Sequence, residues 1–392
     1  MRSIKYESNI SQKKVLLRLD LNVPLDNGKI TDTTRIDKIL PTINFLLEKD
    51  AKIIILSHVG RPKGKIINAL SLKPVCEDLE SKLNKNIKLI TKNIKEIKPI
   101  DLFTDQAEKI IMLENLRFYE EEEKNDNDFA KHLASLADIY INDAFSCSHR
   151  AHASIFEITK FIPSYAGLQL NLEIDALTKV TQEIKRPITC IIGGSKISSK
   201  INIIKNLIPK FDNIIIVGGM ANNILKYKGY EIGKSIQENN CDHIIKEIFS
   251  LSKKEGCKIS YPDDVTIGKS LHGSPEIKEL NNVSKDEIIL DIGPKTIKII
   301  TQLIEESNTI LWNGPAGYFE NPNFSKGSME IAKTIIEKNK NNKIYSVAGG
   351  GDTVALLNNA GATTSFNFVS TAGGAFLEYL EGKELPGIKA LN

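Results

Sequence analysis

Short runs of apolar and β-branched residues recur along the chain, each followed by a longer stretch of mixed polarity. In the first half they are KVLLRLD (14–20), AKIIILS (51–57), KIIMLEN (109–115) and ADIYIND (137–143). The second half continues with ITCIIGG (188–194), NIIIVGG (213–219), EIILDIG (287–293), NTILWNG (308–314), KIYSVAG (343–349) and FNFVS (366–370). Continuous apolar runs, rather than alternating ones, belong to strands covered on both faces. Separated by helical patterns, they imply parallel sheets. Ten such runs are too many for one ordinary sheet. The pattern therefore predicts an α/β chain of two doubly wound parallel-sheet, Rossmann-like domains. Between them, residues 166–187 place Leu170, Ile174 and Leu177 at helical spacing, which predicts a connecting helix over 166–186, stopped by Pro187.

Composition narrows the class. At 392 residues the chain is long enough for two or three cores, and it is 41% hydrophobic and 26% charged. No apolar run approaches a membrane span, and the opening MRSIKYESNI lacks the apolar core of a signal peptide. The five cysteines include no C-x-x-C pair, so neither a disulfide framework nor a zinc site is indicated, which favours a reducing cytoplasm. A net charge of +3 is too small to argue for nucleic acid. Of 52 basic residues only seven are arginine, at 2, 18, 35, 61, 117, 150 and 186. A lysine-rich chain that places arginine there has use for a planar fork that grips phosphate or carboxylate.

The chemistry-bearing residues cluster where the predicted strands end, which is where open α/β sheets bind ligands. The first half offers His58, Arg61, Arg117, His149 and Arg150, with Arg35 a little beyond a strand. Cations crowded on one sheet edge repel unless an anion lies among them, so a small ligand with phosphate and carboxylate groups fits. Asp20 and Asn22 fit a hydroxyl on that ligand, or equally a capped turn. His58, His149 and His152 lack a carboxylate or cysteine at ligand spacing, so no metal site is expected of them. Cys147 is expected to be packed and unreactive. In the second half, GGSKISSK sets Lys196 and Lys200 four apart, on one helix face if a helix starts there, beside a shared anion or simply facing solvent. GKS occurs twice without the upstream glycine of a P-loop, and no intact G-x-G-x-x-G exists. Glu320, in NGPAGYFE, has the character of a ribose ligand or of an exposed loop acid. SVAGGGDTVALL (346–357) puts three glycines and Asp352 between a strand and a helix. That is a tight turn, or a helix start open to phosphate with an acid for the accompanying metal.

Taken in order, RLDLNVPL, LSHVGRPKG, LENLRFYEEEEKND, DAFSCSHRAHAS, GGSKISSK, DIGPKT, LWNGPAGYFE, GGGDT and FVSTAGGAFLEYLEGKELPG resemble the phosphoglycerate kinase family from near the start of the chain to its end. The resemblance implies reversible phosphoryl transfer between 1,3-bisphosphoglycerate and ADP, giving 3-phosphoglycerate and ATP, run with Mg²⁺. It implies direct in-line transfer with domain closure, in a cytoplasmic monomer that acts on small molecules and on neither nucleic acid nor membrane. A 3-phosphoglycerate-binding domain would span 1–165 and a nucleotide-binding domain 187–369, with 370–392 returning to the first. Carried over, Asp20, Asn22, Arg35, His58, Arg61, Arg117 and Arg150 would contact the glycerate substrate. Lys196, Lys200, Gly219, Asn313, Glu320, Gly350, Gly351, Asp352 and Thr353 would surround the nucleotide, with Asp352 on Mg²⁺ and Glu320 on the ribose. Arg35 and Lys196, helped by backbone N–H groups near Gly373 and Gly374, would meet the charge on the transferring group. Three positions depart from the family pattern. Ser199 replaces a frequent Asp, Ala372 the first of three glycines, and Val217 a frequent glycine. If residue 372 needs positive φ, its methyl group would strain the turn. A nucleotide sensor without turnover and a kinase of another carboxylic acid are the rival readings, separated by turnover with 3-phosphoglycerate and a substrate panel.

Overall fold

A computed structural model describes residues 1–341 and 343–392, and the chain divides into two compact units. Unit 1 comprises Met1–Ile174 together with Glu384–Asn392, and unit 2 comprises Asp175–Lys383.

In unit 1 the strands are β1 (Lys14–Leu19), the short antiparallel pair β2 (Leu25–Asp26) and β3 (Lys29–Ile30), then β4 (Lys52–Leu56), β5 (Lys88–Ile90), β6 (Ile110–Leu113), β7 (Ile139–Asp143) and β8 (Ser164–Ala166). Six of them form one parallel sheet in the order β5-β6-β4-β1-β7-β8. Alternation along β1 sends Val15, Leu17 and Leu19 into one apolar cluster with Ile36, Ile43 and Leu79, and Leu16 into another with Phe129 and Leu133. Both faces are therefore covered, as continuous apolar strands require. Arg18 shares the face of Leu16 and is 1% exposed, a guanidinium where the pattern calls for a hydrocarbon.

Unit 2 continues with β9 (Ile188–Ile192), β10 (Asn213–Ile216), β11 (Lys258–Ser260), β12 (Asp264–Gly268), β13 (Glu276–Glu279), β14 (Ile288–Ile292), β15 (Thr309–Asn313), β16 (Tyr345–Gly349) and β17 (Phe368–Ser370). Its parallel sheet runs β11-β10-β9-β15-β16-β17. One core of this unit centres on Trp312, whose Nε1 donates to the Gly314 carbonyl at 2.8 Å.

Several expectations are corrected. The run 287–293 is not a strand of the parallel sheet; as β14 it flanks β12 in a separate antiparallel sheet, β13-β12-β14. The connecting helix spans Leu168–Thr181 rather than 166–186. Its start is delayed because Ala166 is spent in β8. Its end comes early because the Gln182 and Glu183 amides both fold back on the Thr178 carbonyl. The return to unit 1 begins at Glu384, not at 370, because β17 pairs with β16 and the Asn206 side chain ties the following helix, Gly374–Leu380, to unit 2 through the Leu380 carbonyl. In unit 1, Leu385 and Leu391 are buried, and the Gly387 amide donates to the Ser148 carbonyl at 2.9 Å.

Candidate active site

In unit 1 the carboxyl ends of β1, β4, β6 and β7 lead into the residues singled out from sequence. Ser57 ties the ends of β1 and β4 together, accepting from the Leu21 amide at 3.1 Å and donating to the Leu19 carbonyl at 2.8 Å. Asp20 then accepts from Arg35 Nη1 at 2.7 Å and from the Ser146 hydroxyl, and its other oxygen takes the Asn22 amide at 3.1 Å. Asn22 Oδ1 accepts from the Gly60 amide at 2.8 Å, and Arg117 Nη1 donates to the Gly60 carbonyl at 2.9 Å. Asp20, Asn22, Arg35 and Arg117 are thus joined around the Gly60 turn. Arg61 projects from the same turn into solvent, with no hydrogen bond or ion pair among the described residues. Arg150 Nε lies 3.1 Å from His149 Nε2.

The field of this cluster is strongly positive. Burial first, then Arg18 and Arg117, hold the His58 imidazole well below its usual range. Burial first, then Arg117, Arg18 and Arg150, push His152 down to about 3. Asp20 pairs with Arg35 at 2.7 Å, Glu123 lies 3.5 Å from Arg117 and Glu122 3.9 Å from His152, and neither imidazole is lifted by them. Asp20, His58 and Cys147 bring candidate ligand atoms within 4.8 Å of one another, yet they make no metal site. An Arg18 guanidinium nitrogen lies 3.0 Å from His58 Nδ1 and 4.0 Å from Cys147 Sγ, and burial keeps that thiol protonated. Arg18 sits inside the apolar run 14–20, where the sequence pattern assigns it no role.

In unit 2 a cavity of about 490 Å³ opens among the strand ends. Its walls include Gly194, Gly218 and Gly219 on one side, Ile288–Ile292 of β14 on another, and Tyr318, Glu320 and Asp352 at the rim. The antiparallel sheet therefore supplies an apolar wall. Asn313, at the end of β15, accepts from Lys200 Nζ at 2.5 Å and donates to the Gly349 carbonyl at 2.6 Å, while Thr353 Oγ1 accepts from the Gly314 amide at 2.7 Å. Burial lowers the Lys200 ammonium, against the pull of Asp352 and Glu381. Gly350 (φ +98°) caps the helix Gly351–Asn359 without a side chain, leaving the first-turn amides open. Asp352 is exposed in that turn and makes no hydrogen bond or ion pair among the described residues. A free hard-oxygen ligand beside an open helix start fits a magnesium ion whose other ligands come from phosphates and water.

The expected helix at GGSKISSK starts only at Ile201, so Lys196 and Lys200 do not share a helix face. The Ser198 amide and hydroxyl are taken by Glu238, and the Ser199 hydroxyl donates to the Lys196 carbonyl at 2.7 Å, so the segment turns instead. Lys200 caps the helix and Lys196 is exposed. Val217 is fully buried in the core. Ala372 is not among the residues at positive φ; Gly373 (φ +51°) takes the left-handed turn, so the methyl group strains nothing. Asp291, within the apolar run of β14, went unread. It lies on the cavity wall, accepts from the Gly327 and Ile292 amides at 2.8 and 2.9 Å, and is pushed up to about 7 by burial. An acid inside such a run was its signal.

The family model for phosphoglycerate kinase matches residues 6–383. The phosphoglycerate kinase of Wolbachia pipientis subsp. Culex pipiens (strain wPip) is 47% identical over 380 residues, covering 96% of each chain. The solved structure of phosphoglycerate kinase from Coxiella burnetii aligns with a TM-score of 0.91 at 39% identity, covering 99% of this chain and 98% of that one. That from Pyrococcus horikoshii OT3 gives 0.83 at 27% identity, covering 100% and 98%. Fold and similarity together define an α/β kinase, a phosphotransferase acting on small molecules. The chain belongs to the phosphoglycerate kinase family. Its reaction is the reversible glycolytic transfer of a phosphoryl group between 1,3-bisphosphoglycerate and ADP. No helix among the described residues is long and apolar enough to cross a membrane.

Proposed function

We propose that unit 1 binds the glycerate substrate and unit 2 the nucleotide, and that the phosphoryl group passes directly and in line between them. Asp20, Asn22, Arg35, His58, Arg61, Arg117 and Arg150 hold 3-phosphoglycerate. Lys196, Lys200, Gly219, Asn313, Glu320, Gly350, Gly351, Asp352 and Thr353 hold ATP or ADP, with Glu320 on the ribose. The attacking atom is a carboxylate oxygen of 3-phosphoglycerate and the leaving group is ADP, so no protein nucleophile is consumed. The buried, protonated thiol of Cys147 accords with that. Such transfer relies on positioning and charge stabilisation in a water-excluded volume, which demands closure around the two substrates. Arg35 and Lys196, with the amides at Gly373 and Gly374, offset the charge on the transferring group. Asp352 would hold Mg²⁺, which neutralises phosphate charge when bound. We place the enzyme in the cytoplasm, which five free and buried cysteines support, and take it to act as a monomer.

The observation that carries this reading is the Gly350–Asp352 turn, an uncapped helix start with a free carboxylate on the rim of the cavity. In an assay coupling 3-phosphoglycerate, ATP and Mg²⁺ to a dehydrogenase that consumes the acyl phosphate, the protein turns over. Asp352→Asn lowers kcat/KM by about 100-fold or more, in line with about 3 kcal/mol of lost transition-state stabilisation. Metal-dependent turnover undiminished in Asp352→Asn would remove Asp352 from the metal site. A folded protein that binds both substrates without turnover would favour the sensor reading.

A further inference from the structure

Arg18 lies outside the residues assigned to substrate, yet its surroundings are built. Within β1, 1% exposed, it directs Nε to Ser154 Oγ at 2.9 Å and Nη1 to the Leu19 carbonyl, and its Nη2 lies 3.0 Å from His58 Nδ1. Ser154 Oγ passes the contact on, donating at 2.6 Å to Glu122, a fully buried carboxylate that also accepts the Ser154 amide at 2.9 Å. The guanidinium is thus fixed from behind and faces the imidazole.

Arginine only donates and stays charged in a protein. A guanidinium N–H aimed at His58 Nδ1 therefore requires Nδ1 to accept, which excludes a proton there and with it the imidazolium. The single ring proton is left on Nε2, which makes no hydrogen bond among the described residues. We propose that Arg18 is a positioning residue that holds His58 as a neutral Nε2–H donor for an oxygen of the glycerate substrate. This rests on the reading that His58 contacts that substrate. The groups facing the ring agree: Arg18 on β1, Arg35 on the helix Thr34–Glu48, Arg117 after β6 and His152 all disfavour a second proton, whereas Asp20 and Cys147, with ligand atoms within 4.8 Å, do not reverse this. The consequence is a site whose donor count does not change through the pH range in which histidine ordinarily titrates. Phosphate and carboxylate recognition is left to the arginines, which never lose their charge.

The test begins with the intact protein. ¹⁵N-edited NMR of the His58 ring, assigned against His58→Gln, shows the neutral Nε2–H tautomer from pH 8 down to pH 5.5. A proton on Nδ1, or a titration near the ordinary 6.5, overturns the proposal. In Arg18→Met the ring is released and titrates near neutral pH. The KM for 3-phosphoglycerate then rises by about tenfold at pH 8, a typical cost of misplacing one hydrogen bond, and recovers as pH falls and the imidazolium forms. In the wild type the His58 contribution to KM stays flat. A variant that folds but keeps the wild-type pH profile refutes the positioning role, because packing loss alone adds no titration. If Arg18→Met fails to fold, the wild-type spectrum decides. An unchanged KM in His58→Gln together with an Nε2–H tautomer removes the substrate contact and leaves the tautomer lock standing, which separates failure of the site reading from failure of the lock.

Discussion

Gly350 stands at φ +98° and ψ 143°, a region open in practice to glycine alone, and a Cβ added there would meet the Asn313 amide nitrogen. Gly350→Ala is therefore expected to lose about 1–3 kcal/mol of stability and to raise the KM for nucleotide, because Asn313 also anchors Lys200. Thermal unfolding and nucleotide titration check this; a variant as stable as the wild type would mean that the turn relaxes. A glycine at the strand-to-helix junction was legible in the sequence, whereas the three glycines alone left a plain tight turn and a phosphate-binding helix start equally open. Whether Ala372 is strained was left open by the sequence, because only torsion angles distinguish the residue that turns, Gly373, from its neighbour. Arg18 was visible as an oddity and unreadable as a device. Its partners His58, Ser154 and Glu122 lie far away in sequence and meet only through the sheet order.

Among the elements, the connecting helix Leu168–Thr181 starts against a buried acid. Asp143 accepts from the Leu170 amide at 2.8 Å and from the Thr42 hydroxyl at 2.5 Å, and burial lifts its pKa from the usual 3.8 to about 6. Between those values the folded protein keeps a proton that the unfolded chain has released. Stability contributed by this group is full below about pH 4, falls as pH rises to about 6 and is level above, a change of at most about 3 kcal/mol. Asp143→Asn carries no such charge, so its melting temperature relative to wild type should improve from pH 4 to pH 7. A constant difference would mean that Asp143 is already ionised at the lower pH. All ten apolar runs became strands, most of them because four or five consecutive buried apolar residues state their burial openly; β12 (Asp264–Gly268), which begins on a buried acid, went unread. The three-residue strands β5, β8 and β11, all at sheet edges, were missed, since an edge needs no long apolar run. The antiparallel setting of β14 was missed too, because residue pattern does not reveal which strand will be its neighbour.

For the whole molecule, two units with separate cores, each taking the ligand proposed for it, would make a divided response to binding. Saturating Mg-ADP should slow amide exchange around Gly218–Ala221 and Gly350–Val354, while 3-phosphoglycerate should slow it around Asp20–Asn22 and His58–Gly60. Each ligand stabilises its own unit by RT ln(1 + [L]/Kd), about 2.7 kcal/mol at a hundred times Kd. Nucleotide protection confined to unit 1 would overturn the assignment of the two sites. Motif order made two domains and the overall reaction legible. The point at which the chain changes units was not, because it depends on which strand the segment after Val369 joins.

That late crossing bears on how the protein is made. Residues 175–383 are one uninterrupted stretch, whereas unit 1 includes residues 384–392, which are synthesised after all of unit 2. Domains usually fold in the order in which they emerge; here the second has all of its sequence before the first. Until Gly387 reaches the Ser148 carbonyl and Leu385 and Leu391 are buried, the loop leading to Arg150 lacks its support. The basic cluster is therefore completed only after all of unit 2 has been synthesised, and a shorter nascent chain does not present it in finished form.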